Sequence, residues 1–464
     1  MPSSKRVVRA SSPVREATDS LLASTAARET GRVTLLHSDP TTMNIQYRIQ
    51  GGAALHGSVT IGGSKNAALP LIAGSVLCKG DQVFENVPRL RDTATMFAIL
   101  EFLGATVDVK GSTVTINTNN LKNAPIPHDL VSKLRGCIVL LGPLLARFGE
   151  VEMAYPGGCV LGKRPVLAHV DALVQMGAED RSDNTKLHLK GTLKPSRVVL
   201  SEFSVTATEI VLLAAALLPG ETTVELAAAE PHVQDVCLFL SEHGVAVAGT
   251  GSHTLTVQGA KGLLAAKKHA VTSDYLEAGV FLIAGIVTKG KVTVRSADHR
   301  HLTSFLGAMR RAGAHVTVDE KTGDITADGT KSTLVATRIQ TNIFPGFPTD
   351  LQAPFGVLLT QAEGVSRIFE VLFEGRMAYL YELEKMDAKI EILNSHQALI
   401  IGKTQLRGRQ VASNDIRAGA AMVLAGLCAE GETIVTDVRY IERGYDRLEE
   451  KLKAIGADIV REEI

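Results

Sequence analysis

Six copies of one pattern, spaced 67 to 74 residues apart, occupy most of the chain. Each copy joins an apolar run, a glycine turn, a strand-like run, a helix-like stretch and a second turn that leads into another strand. The segments around the second turn read LGATVDV, MGAEDRS, HGVAVAG, AGAHVTV, MDAKIEI and IGADIVR. The two turns of each copy fall at Gly80 and Gly104, Gly149 and Gly177, Gly220 and Gly244, Gly290 and Gly313, Gly364 and Asp387, and Gly431 and Gly456.

This repeat predicts the fold class, because self-similarity at a fixed period is stronger evidence than local propensity. Units of about 70 residues with mixed helices and strands are too large for the rungs of a solenoid. Packed three at a time around shared helices, six units form a two-domain α/β protein, and the cleft between domains is the expected small-molecule site. A doubly wound α/β sheet is disfavoured, because no GxGxxG follows a strand and the helix spacing is too regular.

The second turn of each copy indicates where a helix ends. Helix-like stretches such as Thr93–Leu103 and Leu302–Ala312 carry apolar residues at i, i+3 and i+4 and precede the turn. A residue in the left-handed region is expected at such a helix end, where glycine is favoured. Asp387 replaces glycine in the fifth copy, and aspartate is the next most tolerable residue there.

Composition excludes several classes of partner. Lys plus Arg equals Asp plus Glu, at 49 each, so the basic excess typical of proteins that bind nucleic acid or acidic lipid is absent. The chain has no Trp, which argues against aromatic platforms for single strands. Its apolar stretches, such as Ile138–Ala146 and Ile210–Leu218, are far shorter than the roughly 20 residues of a membrane span. We therefore expect no nucleic-acid and no membrane partner, while the oligomeric state stays open.

Cysteine and histidine usage predicts no metal site and a cytoplasmic location. The five cysteines are scattered without a CxxC pair, as in reduced proteins of the cytosol. Four of them, at 78, 137, 237 and 428, lie in apolar runs and are expected in the core. His299 and His301 have no suitably spaced carboxylate or Cys partner, so we expect a solvated turn.

Residues 1–42 differ from the rest of the chain. They are rich in Ser, Thr, Ala and Arg, show weak periodicity and lack the apolar core of a secretory signal. We expect either a disordered extension or a non-native start before a folded protein that begins at Met43.

The first chemistry-bearing cluster is Gly62–Ala67, read GGSKNA. Lys65 precedes an apolar helix, and a helix start with an added positive charge attracts anions. The spacing is not that of a Walker A loop. The cluster is either a phosphate or carboxylate site or a capped helix with a solvated Lys.

The second cluster is the glycine-rich segment Tyr155–Pro165, which contains Cys159 close to Lys163 and Arg164. A thiol on an exposed, electropositive loop is reactive. Cys159 could donate a proton or form a covalent adduct, and the loop could close as a lid.

The third cluster combines Asp350, which follows two prolines, with arginines of the last copy. Asp350 is either a positioned general base or a helix N-cap. Arg417 and Arg443 could join Lys65, Arg135 and Arg164 in an anion-binding ring, because Arg grips carboxylate and phosphate bidentately.

From about Met43 to Ile464, the motifs and their order along the chain resemble those of the enolpyruvyl transferase family. The resemblance rests on GSKNAALP (Gly63–Pro70), LRGCIVLLGPLLARFG (Leu134–Gly149), PGGCVLGKRP (Pro156–Pro165), FPTDLQA (Phe347–Ala353), FEGRM (Phe373–Met377), NDIRAGAAMVLAG (Asn414–Gly426) and RGYDRLEEKL (Arg443–Leu452). It implies an inside-out α/β barrel of two domains, each built from three βαβαββ-type repeats. One domain would comprise residues 65–272, and the other residues 43–64 plus 273–464.

The resemblance also implies a reaction, the transfer of the enolpyruvyl group of phosphoenolpyruvate to the 3-hydroxyl of UDP-N-acetylglucosamine with release of phosphate. No cofactor and no metal would be required. Catalysis would fall to Cys159, Asp350 and Lys65, with Cys159 as proton donor and fosfomycin target and Asp350 as base. Substrate binding would involve Lys65, Asn66, Arg135, Arg164, Ser204, Val205, Asp350, Phe373, Arg417 and Arg443.

Several positions depart from the family pattern. Leu167 and Ala168 stand where the family often has Asp and Leu, at positions that help to read the uracil. Glu202 and Thr206 replace a common Lys and Gly, and Tyr275 stands where Arg is frequent. Two alternatives follow: a related enolpyruvyl transferase with another acceptor, such as one of the shikimate branch, or a nonenzymatic protein that binds the nucleotide sugar. The Cys-bearing loop disfavours the shikimate branch.

Overall fold

The structure is a computed structural model that describes residues 45–157 and 166–464. Cys159 and Arg164 lie outside the described residues, as does the segment 1–42. Judged by the contacts between residues, Asn44–Ile464 form one compact unit.

The α-helices of the described residues are α1 (Lys65–Gly74), α2 (Arg91–Phe102), α3 (His128–Val131), α4 (Leu141–Phe148), α5 (Leu167–Gln175), α6 (Val205–Ala215), α7 (Pro231–Glu242), α8 (Tyr275–Val287), α9 (Thr303–Arg311), α10 (Gln352–Thr360), α11 (Tyr379–Lys385), α12 (Ile416–Cys428) and α13 (Leu448–Ala454). Short 3₁₀ helices span Ser75–Leu77, Arg135–Leu140, His299–Leu302, Gly329–Lys331, Thr349–Leu351, Glu374–Met377 and Val438–Arg443.

The strands of the described residues are β1 (Ile45–Gln50), β2 (His56–Thr60), β3 (Cys78–Lys79), β4 (Asp81–Glu85), β5 (Thr106–Lys110), β6 (Thr113–Asn117), β7 (Glu150–Ala154), β8 (Glu179–Asp180), β9 (Lys186–Lys190), β10 (Arg197–Val199), β11 (Gly220–Glu225), β12 (Ala246–Ala248), β13 (Thr254–Gly259), β14 (Leu264–Ala265), β15 (Lys268–Ala270), β16 (Lys291–Arg295), β17 (His315–Val318), β18 (Ile325–Asp328), β19 (Arg338–Gln340), β20 (Gly364–Phe369), β21 (Lys389–Asn394), β22 (Gln397–Gly402), β23 (Gln410–Ala412), β24 (Glu432–Thr436) and β25 (Asp458–Glu463).

Within the described residues, each repeat contributes one small sheet, and β14 and β3 form a further two-stranded sheet. Five of the sheets have four strands, in the orders β15-β4-β6-β5, β10-β11-β13-β12, β17-β18-β16-β2, β19-β20-β22-β21 and β23-β24-β1-β25. The second repeat forms the three-stranded sheet β7-β9-β8. There the isolated parallel bridge between Ile126 and Met153 takes the place of a fourth strand.

We call residues 65–272 the first half of the repeat array and residues 43–64 plus 273–464 the second half. Within each half, one strand pairs with a strand far away along the chain. β2 pairs in parallel with β16, although β2 precedes α1 in the chain. β15 pairs in parallel with β4, almost 200 residues earlier. The chain therefore passes between the halves near Gly63, which bridges to Ser273.

The helices lie inside and the sheets outside. α8, α10 and α12 pack against one another, and nearly all of their residues are buried. Helices that are apolar on every side must be surrounded by protein. The strands instead alternate buried and exposed residues, as β16 does. This layering is the one that the inside-out barrel requires.

The described residues form two hydrophobic cores. One core gathers buried residues between Ala67 and Val271, and the other gathers those of Ile45–Ile61 and of Tyr275–Ile459. On this basis we keep the domain division of the sequence analysis, at 64/65 and 272/273, as a proposal.

The backbone conformation and the close packing of the repeat turns explain why glycine occurs at most of them. All six second turns have a positive φ, including Asp387 at 69°. In the fourth first turn, Lys289 instead of Gly290 adopts the positive φ, at 55°. Gly290 is needed for close approach, because a Cβ there would lie 1.9 Å from the carbonyl oxygen of Leu55.

Candidate active site

A cavity of about 1220 Å³ is lined by residues of both halves of the repeat array. Lys65, Asn66, Arg135, Ser204 and Val205 line it from the first half, and Asp350, Phe373, Arg417 and Arg443 from the second. All the described residues that the sequence analysis assigns to the site therefore meet in one place. Cys159 and Arg164 are the assigned residues that lie outside the described part of the chain.

Lys65 and Arg443 converge on one buried carboxylate, that of Asp92. The Asp92 side chain is only 4% exposed and accepts from Arg443 Nε at 2.8 Å and from Lys65 Nζ at 3.4 Å. Burial lowers the pKa of Lys65, and Asp92 opposes this shift. The Lys65 side chain is only 12% exposed and is ion-paired, so the alternative of a solvated capping Lys is wrong.

Asp350 is held by two arginines. Its Oδ1 accepts from Arg376 Nη1 at 2.9 Å, and its Oδ2 accepts from Arg417 Nε at 3.0 Å. Burial raises the pKa of Asp350, but Arg417, Arg376 and Lys65 outweigh burial and hold this pKa well below its usual range. The carboxylate caps no helix, because neither the 3₁₀ helix at Thr349–Leu351 nor α10 has a side-chain cap. The N-cap alternative is therefore wrong.

Helix starts position the two principal cations. Lys65 is the first residue of α1, and Arg417 is the second residue of α12. Asp415 caps α12 by accepting from the backbone N–H groups of Arg417 and Ala418 at 2.7 and 3.0 Å. The guanidinium carbon of Arg417 lies 5.3 Å from the centre of the Tyr445 ring, so a cation–π contact fixes it further.

Three other site residues lie at the edges of elements. Arg135 opens its 3₁₀ helix and donates to the carbonyl oxygen of Pro156 at 3.3 Å. Ser204 caps α6, where its hydroxyl accepts from Ala207 N–H. Phe373 precedes the 3₁₀ helix that carries Arg376, and its ring lies 5.1 Å from the guanidinium carbon. Site positions therefore depend on helix ends rather than on free loops.

The residues that depart from the family pattern form two groups: those that line the cavity and those that do not. The Thr206 hydroxyl lies 2.7 Å from Nε2 of His169, in the cavity wall, and Glu202 and Tyr275 also line the cavity. Leu167 is 68% exposed and lies outside the lining, and Ala168 is buried. Burial, with a contribution from Arg135, lowers the pKa of His169 to about 4, so the ring is neutral at neutral pH.

The cysteine predictions hold in three cases of four. Cys78, Cys137 and Cys237 are buried, whereas Cys428 is only partly buried. Burial raises the pKa of all four thiols to about 11 or 12. None of these four is therefore a nucleophile at neutral pH.

The prediction of a solvated turn is wrong for His301. Its side chain is only 17% exposed, and its ring packs edge-on against Tyr275 at 6.3 Å. Asp298 caps the turn by accepting from Arg300 N–H.

Two central residues, Asp92 and Arg376, were missed by sequence reasoning. Asp92 follows Arg91 at the start of α2, where it resembles an ordinary first-turn acidic residue. Arg376 lies within FEGRM, a segment that contributed to the resemblance, so this match was the signal that could have identified it.

Within residues 45–157 and 166–464, no cluster of three or more His, Cys, Asp or Glu is arranged to hold a metal ion. No helix in this part of the chain is both long and apolar enough to cross a membrane.

Curated relatives resemble the chain over nearly its whole length. A protein of Aeromonas salmonicida (strain A449) named UDP-N-acetylglucosamine 1-carboxyvinyltransferase is 42% identical over 419 residues, which are 90% of this chain and 99% of the relative. A protein of the same name from Campylobacter fetus subsp. fetus (strain 82-40) is 41% identical over 416 residues, or 89% of this chain and 98% of the relative.

Solved structures share the fold. The enolpyruvyl transferase NikO from Streptomyces tendae superposes with a TM-score of 0.82 at 24% identity, over 91% of this chain and 100% of NikO. EPSP synthase from Acinetobacter baumannii gives a TM-score of 0.70 at 20% identity, over 90% of this chain and 100% of that chain. The predicted two-domain α/β fold is confirmed. The family model described as EPSP synthase (3-phosphoshikimate 1-carboxyvinyltransferase) matches residues 49–452, and the chain therefore belongs to this family of enolpyruvyl transferases.

Proposed function

We propose that this protein transfers the enolpyruvyl group of phosphoenolpyruvate to the 3-hydroxyl of UDP-N-acetylglucosamine and releases phosphate. The observation that carries the proposal is the 42% identity, over 90% of the chain, to a relative whose name states this activity. The reaction is the first committed step of peptidoglycan synthesis, so roles in cell wall biogenesis, cell shape and cell division belong to the proposal. A cytoplasmic location also belongs to it and rests on the cysteine usage.

The cations of the cavity suit a substrate with two anionic groups. Lys65 and Arg443, which their shared partner Asp92 holds close together, would bind the phosphate. Arg376 and Arg417 would bind the carboxylate, for which Asp350 now substitutes. Preorganised charges of this kind often supply the largest catalytic term. Arg135 and Arg164 would add to the same field.

Asp350 would accept the proton of the acceptor hydroxyl as its oxygen attacks C2. With two arginines bound, its lowered pKa makes it a weak base. A substrate carboxylate that draws Arg376 and Arg417 away would raise this pKa and activate the base. Cys159 would protonate C3 in the addition, and the later loss of a C3 proton and of phosphate would complete the transfer. Asn66, Ser204, Val205 and Phe373 would contact the acceptor.

A phosphate-release assay with both substrates tests the proposal. We expect phosphate only when phosphoenolpyruvate and UDP-N-acetylglucosamine are both present. If the purified, folded protein releases none, the proposed function is wrong.

Fosfomycin tests the role of Cys159. We expect alkylation on the Pro156–Arg164 segment together with loss of activity, measured by mass spectrometry and the phosphate assay. Cys159→Asp should lose the adduct but keep some turnover, because a carboxylic acid can still donate a proton. An unmodified peptide from a fully inhibited enzyme would contradict this role.

One observation bears on which acceptor the cavity takes. Thr206 and His169 contact each other where the family pattern has a glycine. A side chain at this position changes the wall next to Ser204 and Val205. Competition between UDP-N-acetylglucosamine and 3-phosphoshikimate in the phosphate assay separates the two acceptors.

A further inference from the structure

Three polar side chains that the proposed mechanism does not use, two of them buried and one half-buried, line the cavity. They are Glu209, on α6, and Glu230 and His232, at the start of α7. Glu209 is 1% and His232 is 5% exposed, and all three line the cavity. Among the described residues, Glu209 Oε1, Glu230 Oε2 and His232 Nδ1 have no hydrogen-bond partner. Buried polar atoms without partners are rare, so a ligand is the natural partner for three of them at one cavity.

The protonation states of this cluster differ from those of the cation groups. Burial first, and then Glu230, raises the pKa of Glu209 well above its usual value, so Glu209 is a neutral acid that can donate. Burial also raises the pKa of Glu230, while nearby backbone amides, including that of Phe344, oppose this shift. Burial lowers the pKa of His232 to about 4, which leaves a neutral ring. The cluster therefore offers donors and acceptors without positive charge.

The position of the cluster connects it to the reacting acceptor. His232 lines the same cavity as the candidate base Asp350, and after burial Asp350 is the largest influence on the pKa of His232. Phe344, which acts on Glu230, belongs to the second half of the repeat array. The cluster therefore belongs to the first half and lines the same cavity as Phe344 and Asp350 of the second half, where an acceptor hydroxyl would lose its proton.

We propose that Glu209, Glu230 and His232 form the subsite that recognises the neutral hydroxyl and acetamide groups of the acceptor sugar. Hydroxyls and amides satisfy buried donors and acceptors without burying another charge. An anionic phosphate is disfavoured here, because the cluster holds carboxyl groups and no cation. The inference rests on the proposed function, since it concerns how the same cavity holds its acceptor.

The test measures the KM for the acceptor and the KM for phosphoenolpyruvate in variants. Each new side chain is similar in size to the original but lacks its polar atoms. For Glu209→Leu, and independently for His232→Phe, we expect the KM for UDP-N-acetylglucosamine to rise about tenfold, because each loses a buried hydrogen bond. The KM for phosphoenolpyruvate and the Kd for UDP should stay unchanged. Glu209→Gln, which keeps a donor, should restore the acceptor KM to within about threefold of the original.

Thr222→Val is the matched control. Thr222 is also buried on the same half, and its hydroxyl also lacks a partner among the described residues, but it lies outside the cavity lining. Thr222→Val should change neither KM.

Two outcomes overturn the inference while the proposed function stands. In one, the unsubstituted enzyme is active and both truncations leave the acceptor KM unchanged. In the other, Kd for UDP weakens as much as the acceptor KM, which would indicate a general structural effect. An inactive unsubstituted enzyme would instead overturn the proposed function itself. Should Glu209→Leu fail to fold, His232→Phe and Glu209→Gln decide the matter.

Discussion

Two carboxylates, Asp92 and Asp350, hold the cations of the cavity in place before substrate binds. Each accepts from two basic residues, at distances between 2.8 and 3.4 Å. A buried ion pair of this kind is weak evidence for stability, because desolvation offsets much of the attraction. Its value here is positional, since the same nitrogen atoms are set to receive the anionic groups of a substrate.

Removal of the Asp92 charge should impair phosphoenolpyruvate binding. Asp92→Asn keeps the shape but leaves Lys65 and Arg443 without their shared counterion, so the two cations repel and lose their orientation. We expect kcat/KM for phosphoenolpyruvate to fall by about tenfold or more, equivalent to roughly 1.4 kcal/mol. Asp108→Asn, which breaks an exposed pair with Lys110, is the control and should have no effect. Equal activities of the two variants would contradict the positional role.

His169 should make the folded protein sensitive to acid. Its pKa is lowered from 6.5 to about 4 in the folded protein, so the unfolded chain takes up the proton first as pH falls. Stability is therefore complete above pH 6.5 and is lost towards pH 4, by up to about 3 kcal/mol. Urea unfolding of His169→Gln should show a smaller loss than the unsubstituted protein between pH 7 and pH 4.5. Parallel losses in the two proteins would contradict this assignment.

At the scale of elements, close helix packing positions the site. α4 crosses α6 at Gly142, where a Cβ would lie 2.2 Å from the carbonyl oxygen of Ile210. α6 carries Glu209, and its N-terminal end carries Ser204 and Val205. A displacement of α6 would therefore move one wall of the cavity.

Gly142→Ala should destabilise the protein, because the new methyl group forces α4 and α6 apart. We expect the free energy of unfolding to fall by about 2 kcal/mol, in the range of overpacked cores. Gly307→Ala, in α9, is the matched control, since its Cβ would meet only the Arg311 side chain at 3.5 Å. There the gain in helix propensity should leave stability unchanged or raise it by up to about 1 kcal/mol. Chemical denaturation of both variants measures the contrast, and equal effects would refute the packing argument.

At the scale of the whole molecule, the cavity joins the two halves of the repeat array. Arg443 of the second half binds Asp92 of the first, and Arg91 Nη2 lies 3.2 Å from Glu442 Oε2. An anion that binds Lys65 and Arg443 together therefore engages both halves at once.

Phosphoenolpyruvate should stabilise the molecule as a unit. At a concentration 100 times its Kd, a ligand adds about 2.7 kcal/mol to the free energy of unfolding. We expect thermal unfolding to shift upwards without splitting into two transitions. Arg443→Gln should lose most of this shift at the same ligand concentration, whereas Arg181→Gln, on an exposed pair with Glu179, should keep it. A shift that persists in Arg443→Gln would contradict the bridging role.

The sequence by itself determined the repeat architecture. Turn residues such as Gly104 and Asp387 follow from the local backbone conformation that a helix end requires, and the apolar faces of the helices follow from burial. Both features can therefore be predicted from the sequence alone. Lys65, Asp350 and Arg417 were also identifiable, because their surrounding motifs resemble a known family.

Only the tertiary structure decided which partners these residues have. Asp92 lies 351 positions from Arg443, and the clamp of Arg376 on Asp350 arises from a separate segment. The cluster of Glu209 and His232 likewise forms only when α6 and α7 pack together. Such groupings depend on long-range packing, which brings charges together through space and leaves no local pattern along the chain.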